Sequence, residues 1–190
     1  SGQITIALQN AGVIAPTAGL VLAGSALDSI QSSARVFSLL SYSSLDLYGT
    51  GSLGSLAAFD SLTLSASSIR GYNTGGGTAT LAARNILIDN ATNRPALALP
   101  AGPLSGTLQF QADQITLGAN PVLTGGYGTV GLTAADRVLA SGTGSFGTAG
   151  DLRLTEPLVR RLCDRRRGIG GDGVIRVVRT AAAGEAVPDS

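Results

Sequence analysis

Leu62-Thr-Leu-Ser-Ala-Ser-Ser-Ile69 decides how this chain is read. Apolar and polar residues alternate through its first half, which places every second side chain on one face as a β-strand requires. An alanine and two serines then lead to an isoleucine. The same sentence returns as Leu81-Ala-Ala-Arg-Asn-Ile-Leu-Ile88 and as Leu108-Gln-Phe-Gln-Ala-Asp-Gln-Ile-Thr-Leu117. Outward from these lies a ladder of six apolar pairs: Leu45 and Leu47, Leu62 and Leu64, Ala79 and Leu81, Leu108 and Phe110, Val130 and Leu132, Leu152 and Leu154. The second members recur after 17, 17, 29, 22 and 22 residues. Two positions beyond them stand Gly49, Ala66, Ala83, Ala112 and Ala134, and in the sixth case Glu156.

A period of 17 to 22 residues with two short strands is too short for a propeller blade and suits one turn of a right-handed parallel β-helix (a solenoid). Stacked turns would superpose Leu47, Leu64, Leu81, Phe110, Leu132 and Leu154 as one interior row, with the small residues at a tight corner. Evenly spaced strands also suit a sandwich of hairpins; six aligned turns favour the solenoid. The long interval holds Asn90-Ala-Thr-Asn-Arg-Pro-Ala-Leu-Ala-Leu-Pro-Ala-Gly-Pro103, read as a loop extruded between turns. Upstream, Gln3 to Leu8 alternates like a strand, and the apolar runs at 19–24 and 35–40 read as weaker turns of the array. Frequent Gly, Ser, Thr and Asn argue against helices in this part.

The chemistry that composition excludes is considerable. The 190 residues include 27 Gly and no Trp, Met or His. Without histidine, neither a Ser-His nor a Cys-His nucleophile pair can form within the chain. The lone Cys163 rules out an internal disulfide and a thiolate zinc cluster. A net charge of +1 provides no field for nucleic acid or an anionic membrane. No apolar run approaches the ~20 residues of a membrane-spanning helix. The opening Ser-Gly-Gln, with no signal-peptide pattern, reads as a fragment or processed piece.

Charge divides the chain. Residues 1–150 hold five Arg and six Asp, whereas residues 151–190 hold eight Arg and six acids. From Thr155 the pattern is a capped helix with Glu156 and Pro157 in its first turn. Leu158, Val159, Leu162 and Cys163 form one face, and Gly168 ends it. Val174-Ile-Arg-Val-Val178 then reads as a strand, followed by a frayed tail.

The repeats Ser-Leu-Asp-Leu-Tyr-Gly, Ser-Leu-Thr-Leu-Ser-Ala-Ser-Ser-Ile and Thr-Ala-Thr-Leu-Ala-Ala-Arg-Asn-Ile make residues 1–150 resemble filamentous-haemagglutinin-type exoproteins of two-partner secretion. That resemblance implies a non-catalytic adhesive β-helix, secreted or on the outer-membrane surface. Its partners would be a host or bacterial surface ligand and an outer-membrane transporter. Such a rod without end caps is expected to associate end to end.

Residues 151–190 are similar to something different. The segment Leu158-Val-Arg-Arg-Leu-Cys-Asp-Arg-Arg-Arg-Gly-Ile-Gly-Gly-Asp-Gly-Val174 resembles the amino-terminal part of diaminopimelate epimerase, with Leu162, Asp164, Arg165, Gly168, Gly170 and Asp172 in place. That family interconverts LL- and meso-diaminopimelate without a cofactor, in the cytoplasm, on the route to lysine. Its two cysteine loops, its Asn-Asp-Phe element and its Asn-Ala-Asp-Gly-Ser stretch are absent, and Gly173 stands where some members carry a Gln. Cys163 lies in the helix, so it does not inherit a catalytic role. The resemblance therefore implies an incomplete, inactive epimerase fragment fused at 151–156, with diaminopimelate as its partner.

Other candidates have plain readings. Gly168-Ile-Gly-Gly-Asp-Gly173 fits G-x-G-x-x-G but follows a helix and precedes a strand, the wrong context for a dinucleotide; as a calcium-binding repeat it lacks stacked copies. Arg160, Arg161 and Arg165–Arg167 read as a wet helix face, without interleaved aromatic residues for nucleic acid. Asp46, Asp60, Asp89, Asp113 and Asp136 are scattered near turns. The ladder offset puts Asp46 over Thr63, Thr80, Gln109, Gly131 and Arg153, so no carboxylate row for polysaccharide cleavage forms. Asn90-Ala-Thr92 matches a glycosylation triplet and also a turn. Tyr42, Tyr48, Tyr72 and Tyr127 either line a binding surface or sit at the wet ends of strands. No catalytic, cofactor-binding or metal-ligating residue is assigned.

Overall fold

The computed structural model describes residues 2–15, 19–99 and 101–155, and the backbone of 176–179. The chain is mainly β. In order the strands are β1 (Gln3–Ala7), β2 (Gly19–Leu22), β3 (Val36–Leu40), β4 (Ser44–Tyr48), β5 (Gly51–Leu53), β6 (Ser61–Ser65), β7 (Ser68–Tyr72), β8 (Thr78–Ala82) and β9 (Asn85–Asp89). There follow β10 (Thr107–Leu117), β11 (Val122–Gly125), β12 (Thr129–Ala140), β13 (Ser145–Thr148), β14 (Asp151–Thr155) and β15 (Arg176–Arg179). One helix, α1 (Gly24–Ser33), lies between β2 and β3.

Two curled sheets share the core. One has seven strands in the order β15-β13-β11-β7-β4-β1-β2; the other runs β14-β12-β10-β9-β6-β3, with β8 and β5 joined beside β10. Every pairing among the described strands is parallel, which removes the hairpin sandwich.

The right-handed parallel β-helix of uniform turns expected from the sequence is also overturned. β2 sits outside β1, so the chain reverses its progress across the first sheet at the outset. Between Tyr72 and Val122 no strand enters the seven-stranded sheet, while β8, β9 and β10 all join the other. The structure is a curled pair of parallel sheets, not a regular helix of strands.

The expected single interior row breaks up for the same reason. Leu47 belongs to the seven-stranded sheet, between Ile6 and Gly71. Leu64 lies between Leu39 and Ile88 in the other sheet. Only Leu81, Phe110, Leu132 and Leu154 share a row, and Leu53 joins it. The 17-residue step from Leu47 to Leu64 had counted from one sheet to the other, and that from Leu64 to Leu81 between strands of one sheet that are not register partners; Asp46 in fact lies opposite Arg70, 24 residues on.

The burial follows from alternation. Leu62, Leu64, Ile86, Ile88, Leu108, Phe110, Val130 and Leu132 are almost fully buried, and the intervening Thr63, Leu87 and Gln109 are half-wet. Each such side chain removed from water contributes about 1.5–3 kcal/mol. The long β10 and β12 pair through Ala112 opposite Ala134, after which the register shifts at Gln114. Small side chains fit the bend, and both alanines are buried.

α1 was not foreseen. Leu27 is buried, and Ile30 and Ala34 pack on the core at helical spacing. Four serines in ten residues hide this signal in the sequence, because they favour turns over helix interiors. The helix is tied down by Gln31, whose Oε1 accepts from the Gly54 N–H at 2.9 Å.

A charged pair and a neutral cleft on the seven-stranded sheet

In the seven-stranded sheet, Leu45 and Leu47 face the core, so the residue between them must face away. That residue is Asp46, yet its side chain is only 2% exposed. Arg70 Nε and Nη2 donate to Asp46 Oδ1 and Oδ2 at 2.8 and 2.7 Å, and Gln3 Nε2 donates to Oδ2 at 2.7 Å. The fork is bidentate, the strongest arrangement open to a guanidinium and a carboxylate. Burial pulls the Arg70 guanidinium down, but the hydrogen bonds and charge of Asp46 outweigh it and hold the group above its ordinary value.

Beside this pair the Tyr48 and Tyr72 rings stack at 4.7 Å and 15°, and the Arg70 guanidinium carbon stands 5.8 Å from the Tyr72 centroid. Burial and the Asp46 charge both push the Tyr72 hydroxyl up. The hydroxyls of Thr5, Ser44 and Ser68, in the same and the adjoining row, are buried without a partner.

This arrangement saturates itself. The carboxylate gives three of its roughly four acceptor sites to Arg70 and Gln3 and is only 2% exposed, and the arginine is always protonated. Among the described residues no group of three or more His, Cys, Asp or Glu converges to hold a metal ion. Asp60 meets Arg35 and Arg84 at 3.5 and 3.7 Å, but all three are well exposed, so the contacts contribute little.

A cleft of about 260 Å³ opens next to the tyrosines, between Gly71–Gly75 and the loop residues Ala101–Pro103 and Ser105, with Gly126 at its floor. Thr74 Oγ1 donates to the Ser105 carbonyl at 2.9 Å and lies 2.7 Å from the Ser105 hydroxyl. Asn73, at φ 53°, donates through Nδ2 to the Ala11 and Val13 carbonyls.

The tyrosines of the sequence reading part company here. Tyr48 and Tyr72 form the stacked pair, Tyr127 is fully buried in the core, and Tyr42 is exposed in the turn between β3 and β4. Asn90 is fully buried and donates to the Arg94 and Pro121 carbonyls at 2.8 and 3.0 Å, while its Oδ1 accepts from Thr92. The triplet is a turn, closed to glycosylation. Asp46 does not stack over Thr63 or Thr80; its register partners are Thr5 and Arg70. Sequence reasoning missed the Asp46–Arg70 pair because it used the ladder offset, although alternation alone marks Asp46 as a charged residue between two core leucines.

The Gly168–Gly173 loop, Cys163, Arg160, Arg161, Arg165–Arg167 and the helix expected from Thr155 lie outside the described residues. Of the strand expected at Val174–Val178, residues 176–178 fall in β15, whose backbone continues the seven-stranded sheet from β13, and residues 174 and 175 lie outside the described ones.

So far the described part is defined as a mainly-β scaffold of two parallel sheets. No family model matches the chain, and no solved structure does. Among curated proteins it is similar to diaminopimelate epimerase over a short stretch. The relative from Mycobacterium avium is 56% identical over 39 residues, 20% of this chain and 13% of that protein. That from Mycolicibacterium paratuberculosis is 61% identical over 36 residues, and that from Thermobifida fusca 58% over 36. The chain thus spans about an eighth of the length of the relatives it matches. It carries a short epimerase-like segment, of the length that the sequence reading assigns to its carboxyl-terminal part.

Proposed function

We propose that this chain joins a non-catalytic β scaffold to an incomplete piece of diaminopimelate epimerase, and that by itself it epimerises nothing. The observation that carries the reading is the share matched: 11–13% of each relative. The parent reaction of that piece would be the cofactor-independent interconversion of LL- and meso-diaminopimelate, a cytoplasmic step toward lysine. Moving the α-proton from one face of the substrate to the other takes an acid and a base on opposite sides. The family uses two cysteines, and this chain has one.

The test is solvent exchange. Full-length chain incubated with LL-diaminopimelate in deuterated buffer should leave the α-proton in place. Deuterium incorporated at a rate that follows protein concentration overturns the proposal.

A second reading concerns residues 1–150 alone: a structural or adhesive segment of a secreted exoprotein. Its support is the alternation of buried leucines with small neutral outward residues, as in Ser61-Leu-Thr-Leu-Ser65, which builds a stiff surface without a reaction centre. Protease shaving of intact cells that express the gene checks it. Release of peptides from 1–150 supports surface display; their appearance only after lysis removes it.

A further inference from the structure

The ring stack on the seven-stranded sheet stops one place early. Tyr48 covers the face of Tyr72 that looks toward β4. On the opposite side of β7 lies β11, where Gly125 stands opposite Arg70, so Gly126 and Tyr127 follow the line of Gly71 and Tyr72. A third tyrosine is therefore due beside Tyr72. It is not there, because Gly126 takes φ +85° and the chain turns. The Tyr127 ring goes into the core instead, filling the space that Gly71 leaves by having no side chain. The 260 Å³ cleft adjoins that position, since Tyr72 and Gly126 both line it. Arg70 does not line it: Nε and Nη2 go back to Asp46 on β4, and Nη1 lies 3.5 Å from the Ala98 carbonyl.

We propose that this cleft binds one neutral pyranose ring, stacked on Tyr72 as the next member of the series. The apolar face of a sugar ring packs against an aromatic face, and its rim of hydroxyls needs donors and acceptors around it. The walls supply acceptors for those hydroxyls at Asn73 Oδ1 and the Ser105 hydroxyl oxygen, with glycine backbone at Gly75 and Gly102, while the Asn73 Nδ2 hydrogens are taken by the Ala11 and Val13 carbonyls. No ionisable side chain other than the Tyr72 hydroxyl lines the cleft, so a uronate or phosphate finds no counter-charge. The volume is smaller than the ~300–1,000 Å³ typical of clefts for drug-sized ligands, which limits the occupant to about one ring. Asn73 and Thr74 are already fixed by hydrogen bonds to distant segments, so the walls need little ordering on binding. The site belongs to the scaffold and is independent of the epimerase-like segment.

The experiment is an NMR titration of the full chain, with the tyrosine rings selectively labelled, using methyl β-galactopyranoside, methyl α-glucopyranoside and N-acetylglucosamine. Methyl glucuronide and p-cresol serve as charged and aromatic comparisons. The expected result is a saturable shift of the Tyr72 ring signals with at least one neutral pyranoside and none at Tyr42. Ala101→Trp, a change at an exposed position on the cleft wall, should weaken that binding at least tenfold while the β circular dichroism signal of the free protein is kept. Tyr72→Phe, which keeps the ring, should retain it when the phenylalanine rings are labelled instead. Three outcomes overturn the proposal: no saturable shift with any of the three pyranosides, shifts that survive Ala101→Trp, or tighter binding of p-cresol or the glucuronide than of the neutral sugars.

Discussion

Asp46 and Arg70 face each other across β4 and β7 as register partners, and both carboxylate oxygens are used by the one guanidinium. The pair lies on the outer side of a sheet whose inner side holds Leu45 and Leu47, so β4 is buried on both faces. Replacing a lone partner of such a pair costs about 3–5 kcal/mol, because it leaves a buried charge unmet. Arg70→Met should therefore destabilise the fold by that order in urea unfolding. The double variant Asp46→Leu with Arg70→Met should recover most of the loss. Equal loss in the single and double variants would show that packing, not the uncompensated charge, sets the effect.

Gly71 and Tyr127 divide one space between them. A methyl group at residue 71 would collide with the end of the Tyr127 ring. Gly71→Ala should cost about 1–3 kcal/mol by overpacking. Adding Tyr127→Leu should remove most of that penalty, which makes the two changes non-additive. Additive losses in the thermal or urea midpoint would contradict the shared-space geometry.

The Tyr127 hydroxyl is buried without a hydrogen-bond partner. Removing it while keeping the ring, as Tyr127→Phe does, should be neutral or mildly stabilising. A loss of more than about 1 kcal/mol in the urea midpoint would mean that the hydroxyl is satisfied in solution.

Burial pushes the hydroxyls of Tyr127 and Tyr72 up from the ordinary tyrosine value of 10.0. For an acid whose folded value is raised, the folded state holds its proton more tightly than the unfolded one. That stability is present in full below pH 10 and is lost as pH climbs from there through the raised values. Alkaline titration should show tyrosinate absorbance from Tyr127 appearing only together with loss of the β circular dichroism signal. Ionisation of all four tyrosines before any loss of that signal would contradict its burial.

Asn90 anchors the 90–106 connection through two carbonyls and Thr92. Asn90→Ala should leave these groups unpaired at a cost of about 1–3 kcal/mol. Limited proteolysis should then cut the connection near Ala96 to Leu99 faster than in the parent protein. Unchanged cleavage would mean that the proline residues alone fix this segment.

How much of this was readable beforehand follows from what each signal encodes. Alternation identifies which residues of Leu62–Ser65 and Leu108–Ala112 face the core, because burial needs only local period. It marks a strand at Gln3–Ala7 as well, whereas the short apolar runs at 19–24 and 35–40, read as weaker turns of the array, hold β2 and β3. Pairing is a different matter. Leu47 and Leu64 look equivalent in sequence, yet they belong to different sheets, and only the path of the intervening chain decides that. α1 escaped because four serines mask a face made of Leu27, Ile30 and Ala34. The cleft beside Tyr72 depends on a single backbone rotation at Gly126, which no pattern of side chains announces.

The all-parallel pairing has a kinetic consequence. Ser44 meets Ser68, Ser68 meets Leu123 and Thr107 meets Thr129, so no strand can zip onto its immediate neighbour through a tight turn. Each ladder closes a long loop before its first bond forms, and that entropy is lost ahead of any reward. The protein should therefore fold slowly for its size, on the order of milliseconds to seconds. During that interval unpaired edges such as β3 and β14 lie open to one another and to other chains, so dilution during refolding should raise the yield.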